Sequence, residues 1–207
     1  MSEATRQKLK TTAAVVAWGL LVGAGMSVLH ARAARPGDAG TRPTQWPVDS
    51  LISLAADRPT LLVFLDLKCP CARATIAELE RILTRCGGRP VARILVEGTE
   101  PGAATWANDR ALANLARYPG VTVRLDAKGI ESNRFAIATS GHVLLFRPDG
   151  RLIYQGGVTG ARGHEGANYG RDAVIGWILG DEPDVRAFPV FGCALETAAS
   201  SARERGR

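Results

Sequence analysis

A Cys-Pro-Cys sequence at residues 69–71 joins a strand-like segment to a helix-like one, and this junction constrains the fold most. Residues 60–66 before it are apolar between their two polar ends, which predicts a β-strand buried on both faces. Residues 72–86 after it carry apolar side chains at helical spacing, namely Ile76, Leu79, Leu83 and Cys86. The free N–H groups and partial positive charge of a helix N-terminus favour thiolate over thiol. The junction therefore predicts thiol redox chemistry first and metal binding second.

The rest of the chain alternates predicted strands with predicted helices. The strands are expected at residues 91–96 and 121–125 and in a hairpin of 142–146 with 152–155. The helices are expected at residues 48–56, 103–115, 128–135 and 172–179. Within the first junction, Cys69 is predicted as N-cap, Pro70 as N1 and Cys71 as N2 of a helix that ends at Gly87-Gly88. This order predicts an α/β fold with a mainly parallel sheet.

The N-terminal segment is typical of a membrane anchor. Residues 11–29 carry no charge and would span about 28 Å as a helix, close to the thickness of a bilayer core. A long signal peptide is the alternative, because Ala31-Arg32-Ala33 resembles a cleavage site. The short N-terminal tail and the cysteines favour a domain on the exported, periplasmic side, where disulfides persist.

Four regions follow from these patterns. Residues 1–35 are a tail and single-pass anchor that meets the membrane through residues 11–31, and residues 36–47 are a Pro- and Gly-rich linker. Residues 48–180 are the folded domain, and residues 181–207 are an extension that contains Cys193. The formal net charge is +6, but aromatic residues do not interleave with basic ones, so nucleic acid is not an expected partner.

The motifs resemble those of the thioredoxin superfamily, particularly its membrane-anchored exported members. LLVFLDLKCPC, ending at Cys71, resembles that family's first core strand and redox loop, and residues 123–157 resemble its second half. Cys-Pro-Cys together with VTGARGHEG at 158–166 and PVFGC at 189–193 resembles the RedB family. The resemblance implies a thioredoxin-like three-layer fold, a central mixed sheet flanked by helices. It also implies exchange with protein thiols or disulfides that requires no cofactor.

Three positions depart from the superfamily pattern. The motif is C-x-C instead of C-x-x-C, Lys68 stands where Trp is usual, and Gly141 stands where a cis-proline usually faces the cysteines. In the family that proline helps to present substrate backbone and keeps metals off the thiols. The absence of this proline weakens the prediction of exchange with peptide disulfides and strengthens the prediction of metal binding by the thiols.

The cysteines have different expected roles. Cys69, beside Lys68 at the helix N-terminus, is the expected nucleophile, and Cys71 is the expected resolving thiol. A Cys69–Cys71 bond would close a tight, strained and easily reduced ring. Cys86 lies on the apolar stripe and is expected to be a core thiol. Cys193 could resolve either motif cysteine, pair with Cys86 or ligate a metal.

Other residues are candidates for binding. His164, in the Gly-rich loop, is either a soft-metal ligand or proton shuttle or a solvated side chain. Arg162 could bind an anionic substrate group, and Arg73 could raise the local positive potential, although both could be ordinary surface residues. His142 is expected to be structural.

Two functions from different classes follow. The first is an exported thiol–disulfide oxidoreductase that uses Cys69 and Cys71. The second is a copper(I) carrier or metallochaperone in which Cys69 and Cys71 are joined by Cys193 or His164. A peroxidase is less well supported, because Leu67-Lys68 is not the Thr/Pro-rich sequence that usually precedes a peroxidatic cysteine.

Overall fold

The structure, a computed structural model, describes residues 2–40, 43–98 and 109–196, and it divides into two units after Arg35. The first unit is a single helix, α1 (Glu3–Ala33), whose N-cap Ser2 accepts a hydrogen bond from the N–H of Thr5. It buries none of its side chains and has a mean hydropathy of 1.9 in its most apolar stretch. By length and composition, α1 can be a membrane span or a signal sequence.

The second unit is built on one six-stranded sheet with the order β3-β2-β1-β4-β5-β6. The strands are β1 (Thr60–Leu65), β2 (Val91–Gly98), β3 (Val121–Ala127), β4 (His142–Phe146), β5 (Leu152–Gly156) and β6 (Ala187–Phe188). β1, β2 and β3 are parallel, β4 runs antiparallel to β1, and β5 runs antiparallel to β4. The start of β4 therefore lies beside the end of β1, where the redox motif begins.

Helices and irregular segments cover the two faces of the sheet. The helices of this unit are α2 (Ala72–Cys86), α3 (Arg110–Leu115), α4 (Ile130–Arg134) and α5 (Tyr169–Leu179). α2, α3 and α5 pack on the face that carries Leu61, Val63 and Leu65. The opposite face carries Leu62 and Phe64 and is covered by the segments around Trp46, Phe135 and Leu195. The mixed sheet between two covering layers confirms the predicted thioredoxin-like fold.

One predicted helix is wrong. Residues 48–56 form turns and bends, not a helix. The buried carboxylate of Glu131 accepts hydrogen bonds from the Ser50 hydroxyl at 2.6 Å and the Leu51 N–H at 3.1 Å. Because the Glu131 carboxylate accepts the Leu51 N–H, this N–H does not need the carbonyl that a helix would offer it.

Helix boundaries also differ from the predictions. α2 begins at Ala72 with Cys71 as its N-cap, so the placement of Cys69 at the N-cap is wrong by two residues. Its end is as predicted, with Gly87 in the left-handed conformation. The C-terminal part of the predicted helix 103–115 is present as α3. Residues 103–108 lie outside the described residues.

The segment 36–47, predicted as a linker, belongs to the second unit and makes specific contacts within it. The Gly37 N–H donates to the Val190 carbonyl at 2.8 Å, and the Thr139 hydroxyl donates to the Asp38 carbonyl at 2.6 Å. The Trp46 ring lies edge-on to Phe135 with centroids 5.0 Å apart. The contacts at Gly37 and Asp38 lie beside the segment that carries Cys193.

Candidate functional site

The redox turn (residues 66–71) connects the end of β1 to the start of α2. The Cys69 N–H donates to the Asp66 carbonyl at 3.1 Å, and the Lys68 N–H donates to Asp66 Oδ1 at 2.8 Å. The Asp66 side chain therefore caps this turn. Cys69 and Cys71 are both buried, whereas Pro70 between them is exposed. The turn directs both thiols inward.

A second segment, the C-terminal strap (residues 189–196), brings Cys193 to the redox turn. The Cys193 N–H donates to the Sγ of Cys69 at 3.3 Å. The strap is held beside the start of β4, since the Ser140 N–H donates to the Cys193 carbonyl at 2.9 Å and Thr139 forms an antiparallel bridge with Ala194. Sequence reasoning left the partner of Cys193 open, and the structure places it against Cys69.

The three thiols affect one another electrostatically. Burial raises the pKa of Cys193 to about 11; hydrogen bonding to Cys69 adds to the rise, and the charge of Arg162 opposes it. Burial also raises the pKa of Cys71, and the charge of Cys69 and a hydrogen bond to it add to that rise. Cys71 and Cys193 are thus held in the protonated state, in which their S–H groups can donate to the sulfur of Cys69.

The Gly-rich loop (residues 156–170) covers the thiols from another side. A hydrogen bond from the Gly163 backbone and the positive charge of Arg162 both favour the thiolate of Cys71. Arg162 acts in the same direction on Cys193. The loop therefore approaches the thiols through Arg162 and Gly163.

Glu78 anchors this loop, and sequence reasoning missed it. Its side chain is fully buried on α2, and its carboxylate accepts from the Gly166 N–H at 2.7 Å and from Arg171 Nη1 at 2.9 Å. Arg81, one turn along α2, also donates to it. No local sequence signal identifies Glu78, since a Glu three residues before an Arg is typical of an exposed helix face.

Gly141 occupies the position expected for the proline, and its geometry explains why a proline is absent. Its φ of +88° is closed to proline, whose ring fixes φ near −65°. Its N–H donates to the Phe64 carbonyl at 2.7 Å, a bond that proline could not make. A Cβ at Gly141 would lie 2.9 Å from Oγ1 of Thr75 on α2, so the backbone approaches the first turn of the helix closely.

Three other predicted binding residues lie at exposed positions. The Lys68 side chain is 77% exposed, its ammonium group pairs with Glu196 at 2.8 Å, and this hydrogen bond raises the pKa of Lys68. Arg73 is exposed on the first turn of α2. His164 is exposed, and its imidazole lies beside Gly160 and Gly166 of its own loop.

His142 is a buried polar residue at the edge of the site. It pairs with Phe64 across β1 and β4, and neither ring nitrogen has a hydrogen-bond partner among the described residues. Burial lowers the pKa of His142 from its ordinary value of 6.5 to about 4, so the ring is neutral at physiological pH. It has the structural placement predicted for it, next to Gly141.

The copper alternative can be compared with the same geometry. Within residues 2–40, 43–98 and 109–196, no group of three or more His, Cys, Asp and Glu side chains is placed to hold a metal ion. Cys86 does not contribute to the thiol cluster, because it lies at the far end of α2 in the apolar core. All four cysteines are free thiols in this structure.

Comparison with known proteins supports the fold. No model of a protein family and no curated protein matches the sequence. A crystal structure of an uncharacterized conserved protein from Geobacillus kaustophilus superposes with a TM-score of 0.54 at 16% identity, covering 78% of this chain and 92% of that one. A hypothetical protein from Sinorhizobium meliloti 1021 gives 0.52 at 19% identity, covering 78% and 96%.

A third solved structure is more distant. A secreted Mycobacterium tuberculosis disulfide oxidoreductase, homologous to E. coli DsbE, gives a TM-score of 0.42 at 16% identity, covering 59% of this chain and 81% of that one. At these identities the likenesses concern the fold alone, and none of them assigns an activity to this chain. The function has to be argued from the thiols.

Proposed function

We propose that this protein is an exported thiol–disulfide oxidoreductase of the RedB type, anchored in a membrane by α1, whose substrates are protein thiols or disulfides. One observation carries the proposal. The sulfur of Cys69 accepts the Cys193 N–H at 3.3 Å and lies within hydrogen-bonding reach of the thiols of Cys71 and Cys193. Cys69 is therefore the sulfur on which the backbone of Cys193 and the other two thiols converge, which is the arrangement expected of an attacking sulfur beside its resolving thiols.

The reaction follows from this arrangement. The Cys69 thiolate attacks one sulfur of a partner disulfide, a Cys69–partner bond forms, and the second partner sulfur leaves as a thiolate that takes up a proton. Cys71, having lost its proton, then attacks the Cys69 sulfur and releases the first partner sulfur as a thiol. The partner disulfide is reduced to two thiols while Cys69 and Cys71 are oxidised to a disulfide. The same steps in reverse oxidise a partner dithiol.

The three segments that resemble the RedB pattern support the narrower assignment. Cys-Pro-Cys forms the redox turn, residues 158–166 supply Arg162 and the Gly163 N–H, and residues 189–193 supply Cys193. The segments are far apart in the chain, yet all three meet at one sulfur cluster. Convergence of this kind is expected if they form one site.

A redox titration of the full-length protein in detergent tests the proposal. The protein is equilibrated in glutathione buffers, its thiols are trapped by alkylation, and trypsin releases residues 69–73 for mass spectrometry. We expect a two-electron couple that involves Cys69, lies well above about −300 mV, as for catalytic disulfides, and disappears in Cys69→Ser. Cys86→Ala is the matched control and should retain the couple.

Failure of the thiols to form a disulfide would contradict the proposed oxidoreductase function. If the thiols resist pairing across the whole range of potentials, the oxidoreductase proposal is wrong. Copper(I) binding by Cys69 and Cys71 would then be the leading explanation, and a copper(I) titration of the reduced protein would measure it.

Export is tested separately in intact cells. In cells first treated with a membrane-impermeant reductant, a membrane-impermeant maleimide should label Cys193, the half-buried thiol of the cluster, if the domain lies outside the membrane. Protection of all cysteines until the cells are lysed would place the domain on the cytoplasmic side.

A further inference from the structure

The C-terminal strap covers the expected nucleophile. Cys69 is only 2% exposed, whereas Cys193 on the strap is half-buried. The strap lies so close to the sheet that a Cβ at Gly192 would be 1.9 Å from the Ser140 carbonyl oxygen. A protein substrate therefore meets the strap before it meets Cys69.

Cys69 has two candidate disulfide partners, one on each side. Cys71 lies two residues away in the same turn, and Cys193 lies 124 residues away in sequence but donates its N–H to the Cys69 sulfur. Both thiols are close enough to Cys69 to hydrogen-bond with it.

We propose that Cys193 is a second disulfide partner of Cys69, in competition with Cys71, and that the Cys69–Cys193 bond fastens the strap over the redox turn. This inference rests on the proposed redox function and adds a regulatory state to it. In the fastened state Cys69 carries no free thiol and the strap is covalently closed over it. Thiol–disulfide exchange breaks the Cys69–Cys193 bond and releases the strap, so no second catalytic site is needed to reverse the state.

The exchange step balances without an external reagent. Cys193 loses its proton and attacks the Cys69 sulfur of a Cys69–Cys71 disulfide. The Cys69–Cys193 bond forms, the Cys69–Cys71 bond breaks, and Cys71 leaves as a thiolate that takes up the proton. No electrons enter or leave the protein. Formation of either bond from the reduced protein transfers two electrons to a partner disulfide, such as oxidised glutathione.

Ring size sets the direction of this exchange. A disulfide between residues two apart closes a very small ring, and strained disulfides are the more oxidising ones. The Cys69–Cys193 bond joins two segments that already lie in contact, so it closes without that strain. The Cys69–Cys71 bond therefore forms in reaction with a partner, and the Cys69–Cys193 bond is the resting oxidised form.

Peptide mapping of the oxidised full-length protein in detergent distinguishes the two bonds. Free thiols are blocked with N-ethylmaleimide after equilibration with oxidised glutathione, and the denatured protein is cut with trypsin. Cleavage after Lys68 and Arg73 and after Arg186 and Arg203 puts both motif cysteines in one peptide and Cys193 in another. A cross-link between residues 69–73 and 187–203 reports the proposed bond, and an internal disulfide in 69–73 reports the other.

We expect the cross-linked pair to be the major oxidised form of the wild-type protein and of the Cys86→Ala control. It should persist in Cys71→Ser and be lost in Cys69→Ser. A wild-type protein that forms only the internal 69–73 disulfide would overturn the inference and leave the redox function standing. A cross-link at wild-type level in Cys69→Ser would also overturn it, because Cys71 would then be the partner. Absence of both disulfides at every potential would remove the redox function as well.

Hydrogen exchange tests the fastening itself. In Cys71→Ser, oxidation should slow exchange of the amides of residues 190–196 by about tenfold or more, because a covalent tie suppresses local opening of the strap. Unchanged exchange between the reduced and oxidised forms would show that the bond does not restrain the strap.

Discussion

Cysteines lie at both ends of α2, and their surroundings at the two ends differ. At its N-terminal end, Cys69 and Cys71 meet Cys193, the Gly163 backbone and the charge of Arg162. At its C-terminal end, about 20 Å away, Cys86 is 2% exposed among apolar side chains, and burial raises its pKa. The helix alone does not make a thiol reactive. The polar groups that other segments bring to its first turn set the two ends apart.

The largest expected effect comes from removing the buried charge that holds the Gly-rich loop at the thiol end. Glu78→Ala leaves Arg171, whose side chain is only 17% exposed, without its buried partner. We expect the free energy of unfolding to fall by about 3–5 kcal/mol, as when one member of a buried ion pair is removed. Urea denaturation measures this, and faster alkylation of Cys71 would show that the loop has loosened.

Glu165→Ala is the matched control for that variant. Glu165 is 48% exposed and pairs at 3.3 Å with Arg81, which is 46% exposed. Exposed pairs contribute about 1 kcal/mol or less, so the unfolding curve should barely move. Equal losses in the two variants would show that Glu78 is no more than a surface charge.

The next effect is a pH dependence at the thiol end. The pKa of His142 is about 4 in the folded protein and 6.5 when exposed, so the unfolded chain binds more protons between these values. Stability is therefore complete above about pH 6.5 and is lost as the pH falls to 4, by about 3 kcal/mol from this group. Denaturation midpoints measured from pH 7 to pH 4 give the slope.

His142→Leu separates this group from the carboxylates that also titrate in acid. The leucine fills a similar volume and brings no unpartnered nitrogen into the site next to Phe64. The variant should show a shallower fall than the wild-type protein over the same range. Parallel curves for the two proteins would rule out His142 as the source.

The smallest effect compares serine at the two ends of α2. Cys86→Ser buries a hydroxyl in apolar surroundings and should cost about 1–3 kcal/mol of stability. Cys71→Ser places the hydroxyl beside the Gly163 donor and should cost less than about 1 kcal/mol, because its polar group keeps a partner. Thermal unfolding of both reduced variants measures the difference. The reverse order would mean that the apolar and polar environments have been assigned to the wrong ends.

The elements that depend on local pattern were predictable from the sequence. The continuous apolar run of β1, the apolar stripe of α2 and the glycine at its end each identify their element without help from distant residues. The failure at residues 48–56 has the opposite cause, because Glu131, about 80 residues away, binds that backbone. A local pattern carries no information about such a partner.

The site shows the same division. Cys69 and Cys71 were identifiable because they are only two residues apart and lie at a strand–helix junction. The positions of Cys193 and Glu78 depend on contacts made across 124 and 93 residues respectively. Gly141 was singled out from the sequence as a departure from a family pattern, but the positive φ and the N–H bond that require glycine there are visible only in three dimensions.

The contact between Gly37 and Val190 has a mechanical consequence. This hydrogen bond of 2.8 Å holds the segment that begins the domain beside the strap, which lies near the C-terminal end of the domain. A force applied between the two ends of the domain would load this short contact before it loaded the sheet, whose strands are held by continuous ladders. In the reduced protein, where no disulfide fastens the strap, tension would therefore peel it from Cys69 first and uncover the thiol cluster while the core stays folded.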